Sequence, residues 1–197
     1  MPFTKLLVIK IILFIVCLLP LAWLVYAAFT AQLGANPIEV ITRQLGEWGL
    51  VFLLITLCMT PLRDIWQAAW PIKLRRMLGL FSFFYVVLHF ISYLWLDQFF
   101  DWTEIWHDII KRPFITVGML AVIGLLPLAV TSNRWSQRRL GARWRRLHQL
   151  VYLVTILGVI HFFWLTKADL LRPMIFAICL ALLLVYRLYR RQLQQAN

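Results

Sequence analysis

Long uncharged apolar runs alternate with short charged segments along this chain of 197 residues. A helix that spans a membrane needs about 20 apolar residues. Four runs come close to that length unaided, and two are shorter because charged residues interrupt them. The shorter two reach full length if Arg63 and Arg187 extend their side chains to the interface. The pattern predicts spans over Ile11–Phe29, Trp48–Leu62, Met77–Leu96, Pro113–Asn133, Leu147–Thr166 and Pro173–Tyr186.

The basic residues are divided unevenly between two sets of loops. With six spans both termini lie on one side, and the loops of that side hold 15 of the 20 basic residues. The opposite loops hold the other five, which are Arg43, Lys111, Arg112, Lys167 and Arg172. Loops rich in Lys and Arg stay in the cytoplasm. We therefore predict an all-α, polytopic membrane helix bundle with both termini cytoplasmic, in which residues 1–197 form one domain.

Composition argues against nucleic-acid binding and against covalently attached haem. Hydrophobic residues make up 62% of the chain, and its net charge of +12 comes from short loops between apolar runs. This placement of charge indicates membrane topology and contact with lipid head groups, and it argues against nucleic acid as a partner. Cys17, Cys58 and Cys179 each lie within an apolar run, and the chain has no C-x-x-C-H motif. Any haem must therefore be held by coordination alone.

Two histidines lie within predicted spans at matching depth. His89 is in the third span and His161 is in the fifth, and both of these spans run outward from the cytoplasm. Two imidazoles at one depth on parallel helices can clamp a single metal, as the axial ligands of haem iron do. A histidine in a membrane helix can instead be a hydrogen-bonded packing residue or part of a proton relay. The residues alone leave these alternatives open.

The other two histidines are in different settings. His148 lies at the cytoplasmic end of the fifth span, 13 residues before His161. On an ideal helix that separation is roughly 20 Å along the axis and about 140° around it. The spacing therefore does not show that His148 and His161 face the same gap. His107 lies in the acidic, tryptophan-rich outward loop from Asp97 to Arg112, which can either rest on the membrane and dock a partner or be a plain solvated segment.

Several short motifs carry a resemblance to a known family. The stretch from Arg75 to Leu80 precedes His89, and the stretch from Arg139 to His148 precedes His161. Two further motifs are Gly34-Ala35-Asn36-Pro37 and Thr60-Pro61-Leu62. Together they resemble the MsrQ (YedZ) family, within the ferric-reductase-like transmembrane superfamily, over nearly the whole chain.

The resemblance implies a multi-pass, haem b electron-transfer subunit in the bacterial inner membrane. Such a subunit takes electrons from the quinone pool or from a cytoplasmic flavin reductase. It passes them to a periplasmic molybdopterin reductase that repairs oxidised methionine. The family also implies FMN as a cofactor, with His89, His148 and His161 as the haem-iron ligands. It implies no catalytic residue, because the substrate chemistry belongs to the partner.

One departure from the wider superfamily concerns Arg75 and Arg76. Two-haem members carry two histidines on each of two helices, about 13 residues apart, and these arginines stand where the histidine before His89 would be. His148 therefore lacks a histidine partner, and it can hold a five-coordinate or differently ligated haem or serve a flavin or quinone site. Arginine binds phosphate in a bidentate manner, so Arg75 and Arg76 can hold the FMN phosphate or, alternatively, anionic lipid head groups.

Two rival functions remain open from the sequence. The first is a cytochrome b or ferric reductase that delivers electrons to a different acceptor. The second is a haem-free, proton-coupled transporter that uses His89 and His161 as a relay. The spans contain no carboxylate to complete such a relay, which counts against the second.

Overall fold

The protein is a bundle of long helices in the computed structural model, which describes residues 3–166 and 169–196. Six of its helical stretches are long and apolar enough to cross a membrane, and the described residues contain no strand. The prediction of an all-α bundle with six spans is confirmed. Lys167, which we placed in an outward loop, lies outside the described residues. The helices are α1 (Phe3–Phe29), α2 (Pro37–Ile65), α3 (Trp70–Ser92), α4 (Trp102–Lys111), α5 (Pro113–Val130), α6 (Arg134–Leu140), α7 (Ala142–Leu147), α8 (Leu150–Leu165) and α9 (Leu171–Ala196).

Two sides of the bundle can be distinguished by its chain ends. We call the side with the start of α1 and the end of α9 the terminal side, and the opposite one the far side. A π-helical turn over Tyr93–Asp97 extends α3 toward the far side. The short helix α4 connects the far-side ends of α3 and α5, while α6 and α7 lie on the terminal side. That the terminal side is cytoplasmic stays a prediction.

The motif before Pro37 sets the start of α2. The Asn36 side chain accepts a hydrogen bond from the Glu39 main-chain N–H, and Pro37 occupies the first helical turn, where no donor is needed. Gly34 adopts a φ of +77°, which a side chain would strain. The motif from Gly34 to Pro37 therefore has a structural role.

Glycines allow the helices to pack closely in two antiparallel pairs. In the α2/α3 pair, a Cβ built on Gly49 would lie 2.7 Å from Cγ2 of Val86. In the α5/α8 pair, a Cβ on Gly124 would lie 2.8 Å from Cγ2 of Val154. Small residues at such positions are the usual means by which membrane helices approach one another, since lipid supplies no hydrophobic drive between them.

Arg187 compensates for a proline in α2. Pro61 has no N–H, so the carbonyl of Leu57 lacks its helical partner. The Arg187 guanidinium of α9 donates to that carbonyl at 3.2 Å and to the Thr60 hydroxyl at 3.2 Å. It also contacts the hydroxyl of Tyr152 on α8. The charged side chain thereby joins three helices near the terminal side, where we had expected it only to extend to the interface.

Tyr85 fastens α1 to the rest of the bundle. Its hydroxyl donates to the carbonyl of Cys17 at 2.8 Å and accepts from the N–H of Leu21 at 3.1 Å. In a regular helix Leu21 would bond directly to Cys17. Pro20 has no N–H and so removes the neighbouring helical hydrogen bond. The fully buried Tyr85 side chain inserts its hydroxyl between the two main-chain groups next to this gap.

Replacing Tyr85 with phenylalanine should loosen α1 while keeping the ring. Two main-chain groups lose their partner, and a single hydrogen bond between membrane helices is worth about 0.6 to 2 kcal/mol. We expect Y85F to lower the free energy of unfolding by about 1 kcal/mol. Denaturant unfolding in detergent, followed by circular dichroism, measures this. The matched control is Y26F, because Tyr26 is exposed on α1; an equal loss in both variants would contradict the role of Tyr85.

Candidate metal centre between two histidines

The structure brings His89 and His161 together in the middle of the bundle. Their ring centroids are 6.1 Å apart and their planes are inclined by 74°. His89 lies near the far-side end of α3, and His161 lies near the far-side end of α8. The two histidines that the spans put at matching depth thus lie opposite each other across one gap, with their ring planes strongly inclined.

Main-chain carbonyls fix the orientation of both rings. Nδ1 of His89 is 2.8 Å from the carbonyl oxygen of Thr42 on α2, and Nδ1 of His161 is 2.6 Å from that of Phe114 on α5. A carbonyl oxygen only accepts, so each Nδ1 must carry the proton and donate. Each Nε2 then keeps a free lone pair. Histidines that ligate a metal are typically oriented in this way by a carbonyl or carboxylate.

The separation of the rings suits one metal ion between them. A bond from a metal to an imidazole nitrogen is about 2 Å long, and that nitrogen lies about 1 Å from its ring centre, which puts two trans imidazole centroids about 6 Å apart. The observed 6.1 Å fits. The described residues contain no group of three or more histidine, cysteine, aspartate or glutamate side chains that could hold a metal ion. A haem fits this donor set, because its macrocycle supplies the remaining four ligands.

Two glycines make room for the imidazoles. A Cβ built on Gly46 would lie 2.9 Å from Nδ1 of His89, and one on Gly118 would lie 2.7 Å from Nδ1 of His161. Both distances are shorter than real contacts. Any other residue at either position would push its histidine out of place.

The two halves of the site share one spacing. The Nδ1 bond of His89 and that of His161 each join residues 47 positions apart, and each glycine follows the carbonyl residue by four positions. Sequence reasoning missed Thr42, Gly46, Phe114 and Gly118. A search for glycines at equal separation before the two histidines would have found the two glycines. The carbonyl groups have no sequence signal, because any residue type supplies one.

A buried polar atom beside the site has no protein partner. The Oγ1 of Thr42 is buried, and within residues 3–166 and 169–196 nothing hydrogen-bonds to it. Its own carbonyl is the one that holds His89. A buried hydroxyl without a partner is costly. This atom is consistent with a polar group, such as a haem propionate, at the far-side edge of the gap.

His148 is in a different environment from the facing pair. The helix breaks at His148, between α7 and α8, so the ideal 140° relation to His161 does not apply. Its ring stacks on Trp144 with centroids 3.9 Å apart. The Thr131 hydroxyl donates to the carbonyl of Pro127 at 2.6 Å, so at 3.0 Å it must accept from Nε2 of His148. Nε2 of His148 therefore donates to Thr131 in this structure. That His148 ligates a haem iron stays a prediction.

The two arginines chosen from the sequence face different surroundings. Arg75 is partly buried and lies within electrostatic reach of both His148 and Arg187, whereas Arg76 is exposed. Of these two arginines, Arg75 is therefore the one near His148. Their roles in binding a cofactor stay predictions.

Comparison with known proteins agrees with this architecture. Residues 45–159 match the family described as the ferric reductase like transmembrane component. That range includes His89 and His148, and it ends two residues before His161 and before α9. No solved structure gives a significant match.

Curated relatives cover most of the chain. A protein from Rhodospirillum rubrum is 57% identical over 91% of this chain and 86% of its own length. One from Herminiimonas arsenicoxydans is 51% identical over 94% and 86%, and one from Caulobacter vibrioides is 48% identical over 88% and 83%. Each is described as the haem-binding subunit MsrQ of protein-methionine-sulfoxide reductase. At this identity and coverage, the chain belongs to the MsrQ family of ferric-reductase-like transmembrane proteins.

Proposed function

We propose that this protein is the haem b electron-transfer subunit of a protein-methionine-sulfoxide reductase. The observation that carries the proposal is the facing pair of His89 and His161, 6.1 Å apart, with each Nδ1 bonded to a carbonyl and each Nε2 free. The names of the relatives, which state haem binding and a reductase context, support it.

The chain's own residues hold and orient the group. His89 and His161 would supply the two axial nitrogens, and the carbonyls of Thr42 and Phe114 would keep the imidazoles in one tautomer and raise their basicity. A bound haem supplies reversible one-electron chemistry at its iron. Burial in the bundle would keep water from a group held there, and His89 and His161 would both be engaged in holding it. These features suit electron transfer without substrate chemistry of its own.

The position of the site favours delivery on the far side. Both ligands lie in the far-side halves of their helices, so a partner docked there is the nearer acceptor. If the basic terminal side is cytoplasmic, the far side is the periplasm of a bacterial inner membrane. The acceptor is then a periplasmic molybdopterin subunit that reduces methionine sulfoxide. Quinol or a cytoplasmic flavin reductase is the proposed donor.

A second redox site is proposed near the terminal side. His148, stacked on Trp144 and close to Arg75, lies where electrons from the cytoplasm would arrive. A flavin such as FMN suits this place better than a second bis-histidine haem. Arg75 supplies a cation and Trp144 an aromatic surface, while Nε2 of His148 is hydrogen-bonded to Thr131. FMN itself is implied only by the family resemblance.

Removing either facing histidine should remove the haem. We expect H89A and H161A, purified with adequate haem supply, to lose the low-spin Soret and α bands of the dithionite-reduced protein. The matched control is H107A, because His107 is exposed on α4 and should leave the spectrum unchanged. H148A should retain the bis-histidine signal. Parent protein without a Soret band would refute haem binding and would favour a proton relay.

The glycine at the ring should be nearly as important as the ligand. G118A places a methyl group 2.7 Å from Nδ1 of His161, so the ring must move or lose its carbonyl bond. We expect reduced haem content and a shifted midpoint potential. G79A is the control, because the nearest atom to its new Cβ is 3.7 Å away. Equal spectra and potentials for G118A and parent would show that the ring does not need this space.

The assigned pathway can be tested separately from haem binding. Membranes that contain the parent chain should support methionine-sulfoxide reduction by the soluble catalytic subunit, and membranes with H89A should not. Artificially reduced catalytic subunit should work equally well with both, because the proposal assigns the chain only to electron delivery. Full reductase activity with H89A membranes under physiological donors would argue for another electron carrier.

A further inference from the structure

Helix α4 divides into three faces, and only one is used within the bundle. Successive residues of a helix are turned by about 100°. Ile105 and Asp108 are buried against the protein, and Ile109 is partly buried. Thr103, Glu104, His107 and Lys111 form an exposed polar face. A third, apolar face is exposed and consists of Trp102, Trp106 and Ile110.

The exposed apolar face continues the buried one around the helix. Trp102, Trp106 and Ile110 follow each other at intervals of four residues, next to Ile105 and Ile109 on the helix surface. Trp106 is 65% exposed. One half of α4 is thus apolar throughout, and the other half is polar. Helices that lie in a membrane interface have this division.

Hydrogen bonds fix α4 against the segment after α3 and against the start of α5. Its Asp108 is paired with Arg112 at 3.1 Å and accepts from Gln98 at 2.9 Å and from Tyr93 at 3.4 Å. The hydroxyl of Thr116 on α5 donates to the carbonyl of Ile109. The spans α3 and α5 enter the membrane at the two ends of α4, so the helix cannot move away from that level.

Exposed aromatic side chains continue the apolar face into the segment before α4. The Phe100 ring lies 6.4 Å from that of Trp102, and Trp95 and Phe99 earlier in this segment are also exposed. Tryptophan is enriched at the level of the head groups, where its ring is apolar and its N–H reaches water or a head group. Asp101 and Glu104 make electrostatic attraction to anionic lipid a poor driving force. The burial of apolar side chains must therefore hold the helix there.

We propose that α4 lies flat in the head-group zone of the far-side leaflet, with Trp102, Trp106 and Ile110 inserted into lipid and His107 and Lys111 in water. A lipid surface fits this face better than a soluble protein, because the face lies at the depth of the membrane interface and faces away from the polar half. The inserted helix is bonded to Tyr93, four residues after His89, and to α5, whose Phe114 holds His161. On the function proposed above, hydrogen bonds thereby link the inserted helix to both sides of the metal centre.

The test compares labels on adjacent residues of opposite faces. Trp106→Cys and His107→Cys are each labelled with nitrobenzoxadiazole, in nanodiscs of phosphatidylethanolamine and phosphatidylglycerol. The parent chain, with its own Cys17, Cys58 and Cys179, measures background labelling. Ile110→Cys and Lys111→Cys repeat the comparison one turn on, so that one misfolded variant does not decide the result.

Labels at Trp106 and Ile110 should emit at shorter wavelength and be quenched several-fold more by lipids with a doxyl group near the head group than labels at His107 and Lys111. Aqueous iodide should show the reverse order. Equal iodide quenching at all four positions, in variants that elute like the parent, would overturn the proposal. Shielding of Trp106 that appears only when the soluble reductase is added would also overturn it, and would assign the face to protein docking. Neither readout depends on haem, so the result is independent of the proposed function.

Discussion

The two bonds from Nδ1 of His89 and His161 to main-chain carbonyls constrain the centre of this bundle. Each bond joins the two helices of one antiparallel pair, and each requires a glycine where the ring passes the neighbouring backbone. Because a carbonyl can only accept, these bonds also decide the tautomer and leave both Nε2 atoms free. Helix packing and the orientation of the two proposed metal ligands are therefore set by the same contacts, and a change that separates a helix pair also disturbs the position of its histidine.

Polar side chains elsewhere compensate for main-chain groups that membrane helices leave open. Arg187 donates to the α2 carbonyl that has no helical partner because of Pro61. Tyr85 bridges two main-chain groups next to Pro20 in α1, where the helical hydrogen bonding is interrupted. In lipid no water is available for such groups, so an unpaired one is costly. Prolines that would break a soluble helix become points where one helix is fastened to another. These hydrogen bonds thereby make specific contacts between helices. Apolar contact alone distinguishes poorly between alternative helix packings in lipid.

The far and terminal sides of the bundle differ in the histidines they carry and in the partners of those histidines. The far side has a symmetric two-histidine gap under α4, which is pinned to the bundle through Asp108. The terminal side has a single histidine that is engaged with Thr131 and stacked on Trp144, among cationic side chains. This asymmetry is what one expects of a conduit whose entry and exit use different carriers. Such a conduit is the function that we propose for this member of the MsrQ family.

The sequence by itself determined the span number, the pairing of His89 with His161 and the family, because hydropathy, helix rise and local motifs are properties of adjacent residues. It did not reveal the carbonyl partners or the roles of Gly46 and Gly118, since backbone groups look alike in every residue. It also left the segment before Lys111 as a loop, although Asp101, Glu104 and the spacing of Trp102 and Trp106 are typical of a capped amphipathic helix. Only the tertiary structure decided that Arg75 is partly buried near His148 while Arg76 is exposed, and that His148 bonds to Thr131. Those outcomes depend on which helices meet, and residues far apart in sequence supply the partners.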